Sequence, residues 1–264
     1  MQTIRSADGT LIAYDHGGSG PHLVLVHGTS ADRRRWGNVR PLLEKQFRVT
    51  AIDRRGRGGS GDAGPYAIER EYEDVAAAVE ACGAPVLLFG HSYGALCALG
   101  AATLARENIA ALVLYEAPAF EGRDISRREL ARIEALLAAD DREGVVTTFA
   151  REIVRMPATD FERLKASPAW PARLAAAHTL PRELRAADGF RLASVAPEKI
   201  ALPTLLLHGG DSPDFFKDAM ARLAGLMPQA RPAALAGQQH VAMDTAPDLL
   251  AEQVAAFWNE VRAG

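Results

Sequence analysis

Short apolar runs recur along the chain, and the stretches between them repeat apolar residues every three or four positions. An unbroken apolar run is typical of a strand buried on both faces, whereas the longer spacing is typical of an amphipathic helix. The runs predict strands at Leu11–Tyr14, His22–Val26, Phe47–Ile52, Val86–Phe89, Ala111–Tyr115, Thr204–Leu207 and Ala230–Leu235. Because helical stretches separate several of these strands, the pattern predicts an α/β fold with a mainly parallel sheet covered on both faces.

The stretch from 119 to 197 departs from this pattern. It contains no strand-like run and is rich in Ala, Leu, Arg and Glu, which favour helices. Ser126 with Glu129, and Thr159 with Glu162, have the spacing of N-terminal capping boxes. We therefore expect a helical insertion between two strands, and insertions of this length in enzymes are often lids. The predicted division is a core domain of residues 1–118 and 198–264 and a lid of residues 119–197.

Composition mainly excludes classes of protein. The 264 residues, 48% of them hydrophobic, suffice for one large α/β domain with an insertion. The formal charge of −3 argues against a nucleic-acid surface, which needs a basic field. No apolar stretch approaches the roughly 20 residues that span a bilayer, and the first residues lack the pattern of a signal peptide. We expect a cytoplasmic protein that binds neither nucleic acid nor a membrane.

The segment Gly90-His91-Ser92-Tyr93-Gly94 carries the strongest chemical signal. It follows the predicted strand Val86–Phe89 and precedes a helical run, Ala95–Ala105. A G-x-S-x-G sequence in that position forms a tight turn that lifts a nucleophilic serine clear of the sheet. The alternative is a serine that only caps the helix. We predict that Ser92 is a catalytic nucleophile.

A serine hydroxyl is a weak nucleophile and needs a base, which in turn needs an orienting carboxylate. His240, in a polar loop after the last predicted strand, is the candidate base. Two carboxylates follow strands: Asp211 after Thr204–Leu207 and Glu116 after Ala111–Tyr115. The sequence favours Asp211 as the orienting acid, because the order Ser, Asp, His is typical of such a serine turn. Glu116 is the alternative.

The oxyanion that forms during acyl transfer needs two hydrogen-bond donors. The backbone N–H of Tyr93, directly after the nucleophile, is one candidate. The other is the backbone N–H of Thr29, in the loop His27-Gly28-Thr29-Ser30 that follows a predicted strand. Gly28 would let that backbone approach the substrate closely. We expect His27 to be a structural hydrogen-bonding residue.

These motifs, together with the run Asp53-Arg54-Arg55-Gly56-Arg57-Gly58-Gly59-Ser60, resemble the α/β-hydrolase superfamily in its lid-bearing, serine-esterase-like branch. The resemblance covers nearly all of the chain outside the predicted lid. It implies an α/β-hydrolase fold: a mostly parallel sheet of eight strands, one early strand antiparallel, with helices on both faces and a helical lid. It also implies that 53–60 is a structural turn whose arginines do not bind phosphate.

The expected reaction is hydrolysis of a small-molecule ester, thioester or lactone through an acyl-enzyme on Ser92. His240 would act as general base and acid, with Asp211 orienting it. No cofactor and no metal are expected, and the protein is expected to be a monomer or homodimer. Carbon–carbon bond hydrolysis and a haloperoxidase-like activity are alternatives in the same fold. A ligand receptor with slow turnover is the alternative of another class.

Overall fold

An eight-stranded sheet forms the centre of the computed structural model, which describes residues 1–120 and 127–264. The strands are β1 (Gln2–Arg5), β2 (Leu11–Gly17), β3 (His22–Val26), β4 (Arg48–Ile52), β5 (Val86–His91), β6 (Ile109–Tyr115), β7 (Thr204–Gly209) and β8 (Ala230–Leu235). Every predicted strand is present, with small shifts at some ends. Sequence reasoning missed β1 because it is largely exposed and has only one apolar residue, Ile4, and so offers no buried run.

The strands lie in the order β1-β2-β4-β3-β5-β6-β7-β8. Only β2 is antiparallel to its neighbours, and every other pair is parallel. The expected α/β-hydrolase fold with one early antiparallel strand is thereby confirmed. In a parallel sheet the carboxyl ends of the strands meet at one edge, which is where ligand sites form. Ser92, Glu116 and Asp211 follow β5, β6 and β7 at this edge.

Helices cover both faces of the sheet. The helices are α1 (Arg40–Leu43), α2 (Ile68–Glu80), α3 (Tyr93–Leu104), α4 (Arg127–Ala138), α5 (Arg142–Thr148), α6 (Ala158–Lys165), α7 (Trp170–Ala175), α8 (Leu180–Gly189), α9 (Asp214–Leu226), α10 (Ala242–Thr245) and α11 (Pro247–Ala263). Val24 and Val26 of β3 belong to the hydrophobic core shared with α2, α3 and α9. Leu23 and Leu25 belong to the core shared with α1 and α11. This alternation along one strand gives the sheet two buried faces.

The segment between β6 and β7 contributes no strand to the sheet among its described residues. It consists of α4 to α8, a π-helical turn (Phe149–Ile153) and short 3-10 turns at Ala177–Thr179, Leu192–Ser194 and Pro197–Lys199. Its helices share a small core of their own, which includes Ile133, Val145 and Leu180. No helix in the described ranges is both long and apolar enough to cross a membrane.

One of the two predicted capping boxes is wrong. Helix α6 begins at Ala158 with Pro157 before it, so Thr159 lies inside the first turn instead of capping it. Pro157 sets an extended backbone at this position and ends the preceding segment. The other predicted box includes Ser126, which lies outside the described residues.

Candidate active site

A tight turn places Ser92 between β5 and α3. Its φ of 55° lies in the left-handed region, which non-glycine residues seldom adopt. The flanking glycines are required by close packing. A Cβ on Gly90 would lie 2.4 Å from the Gly94 carbonyl oxygen, and a Cβ on Gly94 would lie 2.4 Å from the His27 carbonyl oxygen. The turn predicted from the G-x-S-x-G sequence is therefore present.

Hydrogen bonds from neighbouring elements hold this turn in place. The Ser92 N–H donates to the Tyr115 carbonyl oxygen of β6 at 2.8 Å, and the Ala95 N–H donates to the Ser92 carbonyl oxygen at 2.8 Å. Ser92 is only 8% exposed. The serine is therefore held rigidly at the start of a buried helix, where developing negative charge is favoured.

The loop after β3 packs against Ser92. A Cβ on Gly28 would lie 2.9 Å from the Ser92 Cβ, so only glycine lets this backbone come so near. Thr29 and Tyr93 line one cavity together with Ser92. Within the described parts of the chain, the backbone N–H groups of Thr29 and Tyr93 donate no hydrogen bond. These two groups are available to a ligand oxygen beside Ser92.

Glu116 lies beside His240 at the end of β6. Its Oε2 is 2.5 Å from the His240 Nδ1, and its Oε1 accepts a hydrogen bond from the Gly209 N–H at 2.7 Å. Glu116 is fully buried, and its φ of 48° turns the chain sharply after the strand. A carboxylate in this position favours the imidazole tautomer with the proton on Nδ1 and leaves Nε2 as an acceptor.

Ser92 and His240 line one cavity beneath the helical segment. The segment contributes apolar side chains to its wall: Val146, Phe149, Ala150, Val154, Met156 and Leu164. A second cavity shares Thr29, Ser92 and Phe149 with the first and is also lined by Phe215 and Phe216. Two cavities therefore adjoin Ser92.

The model of the alpha/beta hydrolase family matches residues 23–253, which is most of the chain. The chain belongs to the alpha/beta hydrolase family. A crystal structure of an alpha/beta hydrolase from Sphaerobacter thermophilus DSM 20745 is similar over its whole length. It is 37% identical, has a TM-score of 0.85, and the match covers 97% of this chain and 100% of that one.

Curated relatives match this chain over shorter stretches. A pimeloyl-[acyl-carrier protein] methyl ester esterase from Methylococcus capsulatus is 41% identical over 37% of each chain. Lipase LipV from Mycobacterium tuberculosis is 34% identical over 48% of each chain. The matched part of this chain thus spans between about a third and a half of the length of these relatives.

The prediction that Asp211 orients the base is not supported by the geometry. Asp211 is exposed, and its backbone N–H donates to the Gln238 carbonyl oxygen. Glu116, the alternative acid, occupies the position beside His240 Nδ1 instead. In this alpha/beta hydrolase, β7 ends at Gly209 and Gly210 follows before Asp211 is reached, and Asp211 is exposed there.

Three residues that position His240 were missed from the sequence. The Tyr115 hydroxyl donates to the Gln239 carbonyl oxygen and accepts from the Ala242 N–H. His91 Nε2 donates to the His240 carbonyl oxygen at 2.9 Å. Phe216 stacks on the His240 ring with 4.4 Å between centroids. Only Tyr115 and His91 had a visible signal, since they adjoin the strand end and the serine turn.

His27 has the structural role expected of it. Its Nε2 accepts from the Arg54 N–H at 3.1 Å, so the proton lies on Nδ1, which donates to the Gly28 carbonyl oxygen at 2.8 Å. Burial lowers the pKa of His27 well below its usual range, and the Arg54 and Arg57 charges lower it further. Burial, together with the nearby His240 and Arg35, likewise lowers the pKa of His91. Both rings are neutral at pH 7.

The arginines of the Asp53–Ser60 turn are buried and paired with acids of the same chain. Arg54 bonds Glu71 and Glu183, and Arg55 bonds Asp74 and Asp8. Arg57 also pairs with Glu183. These pairs agree with the expectation of a structural turn.

The reactive groups beside Ser92 are its hydroxyl, the His240 imidazole and the Glu116 carboxylate. Cys97 is buried and Cys82 half-buried, and both are free thiols. Among the described residues, no three His, Cys, Asp or Glu side chains are grouped so as to hold a metal ion.

Proposed function

We propose that this protein hydrolyses a small carboxylic ester through an acyl-enzyme on Ser92. The observation that carries the proposal is the hydrogen bond between Glu116 and His240 Nδ1, with His240 lining the same cavity as a serine on a strained turn. A buried acid, an imidazole oriented by it and a serine on a strained turn beside them are the parts that serine acyl transfer needs.

In the first half of the reaction, His240 Nε2 accepts the Ser92 hydroxyl proton as Oγ attacks the ester carbonyl carbon. The carbonyl oxygen becomes an oxyanion, which the N–H groups of Thr29 and Tyr93 stabilise. Glu116 stabilises the imidazolium formed in this step. The tetrahedral intermediate then expels the alcohol, which takes its proton from His240 and leaves an acyl group on Ser92.

In the second half, His240 takes a proton from water, and the resulting hydroxide attacks the acyl carbon. The new tetrahedral intermediate uses the same two N–H donors. Its collapse returns a proton from His240 to Ser92 Oγ and releases the carboxylic acid. Because a thioester or lactone carbonyl passes through the same steps, these substrates belong to the same class of reaction.

Two lines of support favour an ester. The relatives reported above include proteins named as a methyl ester esterase and a lipase. The apolar wall supplied by the helical segment suits the carbon chain of an ester. We assign residues 119–197 the role of a lid, which keeps bulk water from the acyl-enzyme and shapes the cavity.

Turnover of a panel of 4-nitrophenyl esters of graded length tests this function. We expect measurable kcat with the intact protein and a loss of about 10³-fold or more in Ser92→Ala, with any residual rate coming from the oxyanion donors. A circular-dichroism spectrum of Ser92→Ala controls for folding. A folded Ser92→Ala that retains most of the activity would overturn the mechanism. Stoichiometric ester binding without turnover in the intact protein would instead favour the receptor.

A further inference from the structure

A buried guanidinium lines the cavity that contains Ser92. Arg173, in α7, is 7% exposed and shares the cavity wall with Ser92 and His240. Its Nη1 donates to the Ser30 carbonyl oxygen at 3.0 Å and to the Ser30 hydroxyl at 3.2 Å, and both acceptors are uncharged. Its Nε is buried and has no hydrogen-bond partner in residues 1–120 and 127–264. Burying a charge this way is costly unless something else pairs with it.

The acids that act on Arg173 most strongly are already paired with other arginines. Asp244 pairs with Arg35, and Asp32 pairs with Arg34 at 2.6 Å. No carboxylate in residues 1–120 and 127–264 forms an ion pair with Arg173. Burial, and then repulsion by Arg35, lower the pKa of Arg173 to about 9. The side chain is therefore cationic at neutral pH.

Arg173 is the one cation of this wall without an acidic partner among the described residues, since Arg35 faces Asp244 and His240 faces Glu116. Among the described residues, the ionisable side chains that line it are Arg35, His91, Arg173 and His240, and no Asp or Glu lines it. Arg35 is neutralised by Asp244, and His91 is neutral. A single guanidinium matches a carboxylate, which carries one charge and accepts the planar fork of an arginine.

We propose that the substrate ester carries a second, free carboxylate that Arg173 binds, so that the substrate class is a half-ester of a dicarboxylic acid. The inference rests on the proposed function, since Ser92 must attack the ester carbonyl of the same molecule. The bound carboxylate takes no part in bond changes. Ser92 Oγ forms the acyl bond, the alcohol leaves with the proton from His240, and water releases the dicarboxylic acid.

A purely structural role for Arg173 makes a different prediction. Its two bonds to Ser30 hold the loop that carries Thr29, one of the oxyanion donors. If that were its whole contribution, loss of the guanidinium would slow charged and neutral esters by the same factor. Binding of a carboxylate affects only the charged ester, and mainly through KM.

The test compares the 4-nitrophenyl ester of glutaric acid, which ends in a carboxylate, with that of glutaramic acid, which ends in a neutral amide of the same size. We expect a preference for the acid in kcat/KM that Arg173→Met removes by lowering the acid's value about 10- to 100-fold. Arg173→Lys should keep part of the preference. Arg163→Met is the matched control, because the Arg163 side chain is exposed on α6 in the same segment. Equal losses on both esters, or no initial preference, would overturn the proposal.

Binding without turnover separates this proposal from the catalytic one. Calorimetry with monomethyl glutarate uses Ser92→Ala and the double variant Ser92→Ala/Arg173→Met, each checked for folding by thermal melt. We expect binding to the first and a loss of about tenfold or more in the second. That result would uphold the carboxylate site even if no ester were hydrolysed. If the neutral ester is hydrolysed and the two variants bind monomethyl glutarate equally well, the carboxylate site at Arg173 is rejected and the proposed function stands.

Discussion

Strand position and side-chain length decide which acid faces His240. Glu116 follows β6, which lies next to the strand that carries Ser92, whereas Asp211 follows β7, one strand further out. The glutamate side chain is also one methylene longer, and it reaches His240 Nδ1 from a fully buried position. The sequence placed both carboxylates at the same edge of the sheet, but it carried no information on their reach toward a loop far along the chain.

Glu116→Gln should therefore be far more damaging than Asp211→Asn. The glutamine amide favours the wrong imidazole tautomer, and a comparable change in a serine triad lowers kcat about 10⁴-fold. Asp211→Asn should change kcat by no more than about threefold. The Asp211 side chain is exposed, and the hydrogen bond to Gln238 comes from its main-chain N–H, which the substitution keeps. Steady-state kinetics on one activated ester decides between the acids. A severe loss in folded Asp211→Asn alone would reinstate Asp211.

At the scale of elements, buried ion pairs join the helical segment to the core. Arg54 Nη2 lies 2.6 Å from Glu71 Oε1 in α2 and 2.6 Å from Glu183 Oε1 in α8. The Tyr66 hydroxyl donates to Glu71 Oε1 at 2.8 Å and contacts the Tyr93 hydroxyl at 2.7 Å. The sequence identified the turn that carries Arg54 as structural. It gave no sign that an acid of the helical segment would pair there, because that contact depends on how the segment packs on the core.

The buried ion pairs around Glu71 predict that the protein becomes less stable at acidic pH. Burial alone would raise the pKa of Glu71, but Arg54 and Arg57 outweigh it and hold the pKa at about 2. A carboxyl whose pKa is depressed in the folded state stabilises the protein above its unfolded pKa, and this stabilisation is lost as the pH falls toward 2. When the pH falls from 6 to 3, we expect the titration of Glu71 to lower the free energy of unfolding by about 2 kcal/mol.

Urea unfolding at the two pH values measures this contribution. Glu71→Gln should show a smaller fall in unfolding free energy between them than the unmodified protein does. Glu73→Gln, at a half-buried position of the same helix where the side chain pairs with Arg70, is the control and should keep the full dependence. An unchanged dependence in Glu71→Gln would show that Glu71 is not the group that titrates.

At the scale of the whole molecule, the local signals agree with one another and with the fold. Apart from the antiparallel β2, the strands predicted from the apolar runs end at one edge of the sheet, where the serine turn and the His-Gly loop also lie. What the sequence could not supply are contacts between segments far apart along the chain. Glu116 beside His240, and Arg173 against Ser30, are contacts of this kind. Both depend on tertiary packing, which no local pattern encodes.

Covalent trapping is the most direct test of the central claim that Ser92 is the nucleophile. A fluorophosphonate reacts with a serine only where a base and oxyanion donors activate it. After incubation and proteolysis, mass spectrometry should find one adduct, on the peptide that contains Ser92. Glu116→Gln should label much more slowly, and Ser92→Ala should not label at all. An adduct on another residue, or ester turnover that persists with Ser92 unmodified, would contradict this account.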